Sequence, residues 1–407
     1  MARKGFGVTF LICTYYKVKC GLVVCVEIYV VQGGDTLFSI ANRLGSTAEE
    51  LAYINQIPPP YGLTPGQALL SDDNTSSQEE KVPVHIGGYA YPFISSWVLE
   101  QTLPYLTELH IFSYGFTAEG ELLPPRLSDD WMIALAQNGG VAPFLTLTPF
   151  GTDGRFSNVL ISAIVNDTGA RQRLKDEIVR QITERGFEGL DIDFEYILAS
   201  DRQAFVDFVI YMKEAVGALG YPVCVALAPK TSANQKGLLY EGKDYAALGA
   251  AADYVFLMTY EWGYTYGPPM AVAPIPKVRE VLDYAVTEIP PSKIHMGIPN
   301  YGYDWPLPFE KGVTKAQTLG NIQAVQRAVE NGVPIKFDAV AQAPFYFYES
   351  GNGDAIRHEV WFEDVRNMEA TFSLLKEYRL RGAGYWNIMQ LFRANWILLS
   401  SFFTKPQ

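Results

Sequence analysis

Three carboxylates recur at every second position of one apolar run: Asp191, Asp193 and Glu195 in GLDIDFEY, residues 189–196. In an extended strand, residues i, i+2 and i+4 share a face, with neighbours about 6.5–7 Å apart. The three acids therefore face one way, and Leu190, Ile192 and Phe194 face the other. Three like charges on one buried face cannot all ionise cheaply, so repulsion and desolvation should raise at least one pKa. Glu195 stands nearest the strand's C-terminal end and is the candidate general acid, a carboxylic acid still protonated near neutral pH.

Such a row has two other uses. A ladder of buried ion pairs needs inward-facing cations, and the predicted strands offer only Lys230, at a strand end. A magnesium or calcium site takes several carboxylates, but ligands ascending one strand diverge from a single point. Catalysis is the favoured reading, with no metal and no cofactor.

The row must be held by a larger architecture. Short apolar runs bounded by turn signals alternate with helical patterns along most of the chain. The predicted strands are 82–90, 108–116, 142–150, 189–196, 222–230, 254–260, 293–303 and 383–390. Eight such repeats predict an α/β fold, a (β/α)8 TIM barrel with its active site at the C-terminal strand ends. Residues 305–380 are too long for a simple connection and carry strand-like runs of their own at 334–340, 343–350 and 358–364, which predicts a small α+β insertion between strands 7 and 8.

Ahead of the barrel, residues 27–71 read as strand, helix, helix, strand, a βααβ unit. Leu37, Ile40, Ala41 and Leu44 recur at helical spacing, Gly45 serves as C-cap, and Thr47 with Glu50 predicts a capping box. Residues 72–81 are polar and acidic and read as a linker. Residues 1–25 fit a signal peptide poorly, because Lys17 and Lys19 interrupt the apolar stretch and no A-x-A site follows. They are read as a poor signal peptide or a non-native start.

The 407-residue chain carries a net charge of −12, which argues against nucleic acid or an anionic membrane as partner. Its 25 Tyr, 23 Phe and 7 Trp suit a groove that stacks on flat ligand faces. Three of four cysteines (Cys13, Cys20, Cys25) precede residue 26 and only Cys224 follows, so no disulfide framework is expected. His85, His110, His295 and His358 are scattered along the sequence. No apolar run is long enough for a transmembrane helix, and a monomer is expected.

Residues 29–70, with the motifs GDTL, Asn55 and L-x-P-G-Q, resemble a LysM module. The resemblance implies binding to N-acetylglucosamine-containing glycans, peptidoglycan or chitin, through Gly34, Asp35, Thr36, Asn55 and Ile57. GLDIDFEY resembles the D-G-x-D-x-D-x-E signature of family 18 glycoside hydrolases, the chitinase-like barrels, and the likeness runs across residues 82–400. It implies that Glu195 donates a proton to the glycosidic oxygen, that Asp193 orients the substrate's N-acetyl group, and that Asp191 holds Asp193 by sharing a proton. The nucleophile is then the substrate's own acetamido oxygen.

The segment LMTYEWGYTYGPP, residues 257–269, resembles the family's M-T-Y-D segment. By that likeness Tyr260 holds the acetamido carbonyl, and Met258, Glu261 and Trp262 line the pocket. Trp386 would form the floor under the sugar, Tyr89 matches the strand 1 aromatic, and Asn300 and Tyr301 would contact substrate. Glu188 and Glu261 stand where the family has Asp, and the third strand lacks S-x-G-G.

These departures and the LysM module resemble bacterial spore-associated N-acetylglucosaminidases that digest cortex peptidoglycan. The expectation is cleavage of β-1,4 bonds after N-acetylglucosamine, at the spore cortex or coat or the cell wall, with secretion as the alternative. A chitinase is the second reading, and a non-catalytic glycan-binding coat protein the third.

Overall fold

The computed structural model describes residues 26–72, 81–150, 154–351 and 355–406. Residues 1–25 and all but the ends of the 72–81 linker lie outside the described residues.

Eight parallel strands close into a barrel in sequence order: His85–Ala90, Glu108–Phe116, Ala142–Leu147, Gly189–Ile192, Val223–Leu227, Tyr254–Leu257, Ile294–Pro299 and Gly382–Trp386. The first pairs with both the second and the eighth, which leaves no open edge. A helix or helix pair follows every strand and covers the outside. The alternation in the fourth strand works as its pattern dictates. Phe194, on the outward set, packs against Phe205 and Phe208 of the helix Arg202–Gly217, with ring centroids 5.7 and 5.5 Å away.

The insertion differs from its expected span. Strand 7 ends at Pro299, and Gly302–Pro306 already belongs to a separate five-stranded antiparallel sheet with Gln317–Leu319, Lys336–Asp338, Ala343–Ser350 and Ile356–Trp361. The helix Val365–Tyr378, counted in the 305–380 segment from sequence, packs against the barrel helices Ile275–Glu288 and Arg393–Phe402. It is the barrel's own seventh helix. Its apolar stripe, with Met368, Phe372 and Leu375, faces the barrel core rather than the insertion, whose small core includes Ala324, Tyr346 and Val360.

The N-terminal unit pairs Val26–Val30 with Ala68–Asp72, antiparallel, across the helices Leu37–Leu44 and Ala48–Asn55. Gly45 caps the first helix in the left-handed conformation, at φ +70°. The full capping box lies at Thr36 and Ser39. At the second helix only half of the predicted box forms. Thr47 Oγ1 accepts from Glu50 N, while the Glu50 carboxylate is turned to Ser46 Oγ at 3.0 Å.

This unit is docked on the rest of the molecule. Thr64 Oγ1 donates to the Val333 carbonyl at 2.7 Å, Ile335 N donates to Pro65 O at 2.9 Å, and Arg366 donates to Gly66 O at 3.2 Å. Ile54 and Leu70 join the barrel's apolar core. A space of about 360 Å³ remains at this junction, between Pro58–Pro60, Val325, Val329 and Phe392, away from the carboxylate row. Among the described residues no helix is long and apolar enough to cross a membrane.

Candidate active site

Strand geometry ends at Ile192, so Asp191 lies within the fourth strand and Asp193 just beyond it. The extended path continues, because Asp193 N still donates to Leu147 O of the third strand at 2.9 Å. Asp191 and Asp193 are buried, with neither oxygen of Asp191 and not Oδ1 of Asp193 hydrogen-bonded to protein. Burial, then the charges of Glu195 and Asp191, push the Asp193 carboxyl well above its usual range. Burial and, more weakly, Glu261 raise Glu195, against the pull of Lys243. Raised pKa values at the top of the row are what a proton donor beside a neutral carboxylic acid requires.

Tyr260 lies three residues beyond the sixth strand, almost fully buried, and burial together with Asp193 and Glu195 pushes its hydroxyl well above its ordinary value. It is therefore a hydrogen-bond donor at neutral pH. A Cβ at Gly297 would come within 2.7 Å of its ring, so glycine there leaves the ring its place. Tyr89 is buried with its hydroxyl unpartnered, and Trp386 is half-buried at the end of the eighth strand. Trp386 meets Phe112 at 4.9 Å and Tyr89 at 5.7 Å, edge to face. Met258 and Trp262 are half-buried against the same core.

Glu261 takes a left-handed backbone, φ +66°. Its carboxylate accepts from Tyr301 and Tyr303, the latter at 2.8 Å. The residue as a whole is exposed, yet its carboxylate sits deep enough among the tyrosines for burial to raise its pKa. Tyr301 thereby reaches the site through Glu261. Asn300 is placed differently from expectation. It is buried, and its amide nitrogen donates to Asn387 O and Gln390 O at 3.1 and 2.9 Å. It fastens the loop that follows Trp386 rather than facing open space.

Sequence reasoning missed three contributors. Tyr91, one step beyond Tyr89 on the same face, is half-buried, and burial with Asp193 and Glu195 pushes it up to about 12. The period-2 repeat Tyr89–Tyr91 was a usable signal. Lys243 is completely buried, donates Nζ to Ala226 O at 3.0 Å, and its charge acts on Asp193 and Glu195. Burial lowers it to about 8, which still leaves it charged at neutral pH. Lys230, the cation visible in the strand pattern, donates instead to the carbonyls of Lys243 and Ala233.

The third is His110. The histidines scattered in sequence converge in the barrel: His110, His85 and His295 all approach Glu108, at 3.6, 3.5 and 3.8 Å. His110 Nδ1 also lies 3.3 Å from Asp191, an ion-pair contact without hydrogen-bond alignment. Among the described residues no group of three His, Cys, Asp or Glu side chains is arranged to hold a metal ion.

In the N-terminal unit the motif residues also hold the fold. Asp35 accepts from Tyr29 OH and Gln32 N, at 2.7 and 2.8 Å. Thr36 caps a helix, Gly34 turns at φ +88°, Ile57 is core, and the Asn55 amide is bonded to Leu51 and Leu70. The polar atoms of Asp35 and Asn55 are engaged within the unit.

Comparison with known proteins decides the family. The model for glycosyl hydrolases family 18 matches residues 150–390, and the LysM domain model matches residues 29–71. The chain belongs to glycosyl hydrolases family 18. A relative, the cortical fragment-lytic enzyme of Bacillus subtilis (strain 168), is 40% identical over 427 residues, covering 93% of this chain and 98% of that protein. The crystal structure of the Bacillus cereus spore cortex-lytic enzyme SleL superposes with a TM-score of 0.89 at 32% identity, covering 94% and 98% of the two chains. A chitinase from Chromobacterium violaceum, 24% identical, has a TM-score of 0.71 over 78% of this chain and 98% of its own, a likeness of fold. The family 18 barrel here is thus preceded by a LysM domain, and the chain is a glycosidase.

Proposed function

We propose that this glycosidase cleaves β-1,4 bonds after N-acetylglucosamine in peptidoglycan of the spore cortex, by a retaining, substrate-assisted route. The observation that carries the reading is Glu195, a half-buried acid of raised pKa two positions beyond the buried Asp193, both of whose charges reach Tyr260. Glu195 donates its proton to the glycosidic oxygen as the bond to C1 breaks. The substrate's acetamido oxygen forms the new bond to C1, giving an oxazolinium whose positive charge the carboxylates stabilise. Tyr260 donates to that oxygen, and Asp193 accepts from the acetamido N–H. Water then opens the oxazolinium, returning its proton to Glu195.

The choice of peptidoglycan over chitin is supported by relatives named for cortex lysis and by the LysM domain. The LysM domain would hold the barrel at the polymer and raise its local concentration. Its exposed Phe38, edge-on to Tyr61 at 6.2 Å, is a stacking surface for a sugar. The place of action would be the spore cortex or coat, or the wall, with a secreted enzyme as the alternative.

Glu195→Gln should abolish release of reducing ends from cortex fragments and leave binding to them intact. Turnover comparable to the unsubstituted protein defeats the assignment of Glu195. Chito-oligosaccharide hydrolysis far exceeding that of cortex fragments would favour a chitinase.

A further inference from the structure

The second strand carries a group that the family's signature does not contain. The His110 ring is clamped between Tyr89 of the first strand, stacked at 4.4 Å, and Phe144 of the third, stacked at 4.8 Å. The clamp fixes the ring plane and so the direction of both nitrogens. Nδ1 faces Asp191 at 3.3 Å and Nε2 faces Glu108 at 3.6 Å. Behind the ring, a Cβ at Gly87 would fall 3.1 Å from Nε2.

A neutral imidazole has one N–H and one lone pair, so between two carboxylates it would turn its lone pair on one of them. Only the imidazolium presents an N–H to each. Glu108 is fixed in turn by the Tyr254 hydroxyl at 2.8 Å, with Arg381 at 3.7 Å and His85 at 3.5 Å.

We propose that His110 is a positioning residue for the carboxylate row: held as an imidazolium between Glu108 and Asp191, it anchors Asp191 as an anion and leaves the row's proton to Asp193 and Glu195. The inference rests on Asp193 and Glu195 acting as set out above. It gives the expected sharing of a proton between Asp191 and Asp193 a fixed direction. Asp193 donates its O–H down to the anchored Asp191 and keeps its carbonyl oxygen free to accept the acetamido N–H.

The surrounding groups agree with that charge state. Burial opposes a charge on His110, but the contacts to Asp191 and Glu108 outweigh it and lift the ring to about 9. His295, facing Glu108 from the seventh strand, is pushed down to about 3 by burial and stays neutral. That leaves His110, rather than His295, as the charged ring against Glu108. The other titratable groups around this floor, Tyr89, Tyr254 and Cys224, are all raised, burial first, and remain protonated.

The test has two arms. In His110→Gln the row loses a cation, so both limbs of the kcat/KM profile on cortex fragments should move to higher pH by about one unit. The loss should fall on kcat, about 10- to 100-fold, with KM nearly unchanged. A folded His110→Gln protein with unmoved limbs overturns the proposal. The second arm reads the unsubstituted protein by ¹⁵N NMR of its imidazoles at neutral pH, assigned by substituting His85, His295 and His358. Two protonated nitrogens on His110 support the proposal, and a neutral ring overturns it whether or not the variant folds. Should the unsubstituted protein leave cortex fragments intact, the functional reading fails, and the NMR arm alone still decides the state of His110.

Discussion

Asn55 completes the end of the LysM strand by bonding Leu70 in both directions, accepting its N–H at 2.8 Å and donating to its carbonyl at 2.8 Å. The same amide donates to Leu51 O at 2.9 Å, so one side chain ties the second helix to the second strand. Asn55→Ala strips all three bonds in a buried place. An expected loss of about 2–3 kcal/mol would appear as a lower denaturant midpoint. Glycan binding per folded molecule should stay the same, measured by pull-down on insoluble peptidoglycan. Lost binding at full stability would return Asn55 to the role of a glycan contact.

The LysM domain should unfold together with the barrel. Arg393 follows the eighth strand's loop, and its guanidinium lies 3.9 Å over the Tyr53 ring and donates to Tyr53 O at 2.7 Å. With Ile54 and Leu70 inside the barrel core, the interface is apolar as well as hydrogen-bonded. Calorimetry should show one transition, and Arg393→Ala should separate or broaden it, at a cost of about 1–2 kcal/mol. Two well-separated transitions in the unsubstituted protein would mean that docking contributes little.

What the sequence made legible followed from local rules. The eight barrel strands, the insertion strands 336–338 and 343–350, and the order Asp191, Asp193, Glu195 come from period-2 runs and turn residues, each readable within ten residues. The candidate catalytic face was readable because Phe194 had to point outward for Asp193 to point inward. His110 and Lys243 were not, since their partners lie on other strands and no spacing rule links His110 to Asp191 across 81 positions of chain. The insertion boundary failed because the helix Val365–Tyr378 has an apolar stripe that fits either core. Likewise the hydrogen bonds that Asp35 and Asn55 make within the LysM unit follow from no spacing rule.

Lys243 should set the basic limb of activity. Its charge pulls both Asp193 and Glu195 downward, so removing it lets Glu195 keep its proton to higher pH. Lys243→Met should shift the basic limb of kcat/KM upward by about half a unit to one unit. A limb that stays in place would show that the buried ammonium does not reach the row.

Glu261→Gln should do the reverse. The Glu261 charge raises Glu195, and glutamine retains an oxygen to accept from Tyr301 and Tyr303. The basic limb should therefore fall by roughly half a unit. Opposite shifts in the two variants would identify Glu195 as the group titrating there, whereas shifts of the same sign would not fit electrostatic control.

The buried charges also fix how stability depends on pH. His110 has a folded pKa of about 9, above its unfolded value of 6.5. A raised basic group contributes stability that is fully present below the unfolded pKa and is lost as pH climbs through the folded one. Denaturant midpoints should thus fall from about pH 6.5 to about pH 9, with a loss on the order of 2–3 kcal/mol. Glu108 acts at the other end. Burial raises it, but with His295 neutral the contacts of His110 and His85 still hold it below the carboxylate range, so its contribution is present above the unfolded value of 4.5 and disappears as pH falls below that. Asp193 and Glu195 are raised, so each costs stability as pH rises above its unfolded value, and this adds to the alkaline decline. In His110→Gln the histidine component is absent, and the midpoints should decline less steeply across the alkaline range. An unchanged slope in that variant would assign the whole alkaline loss to the carboxylates.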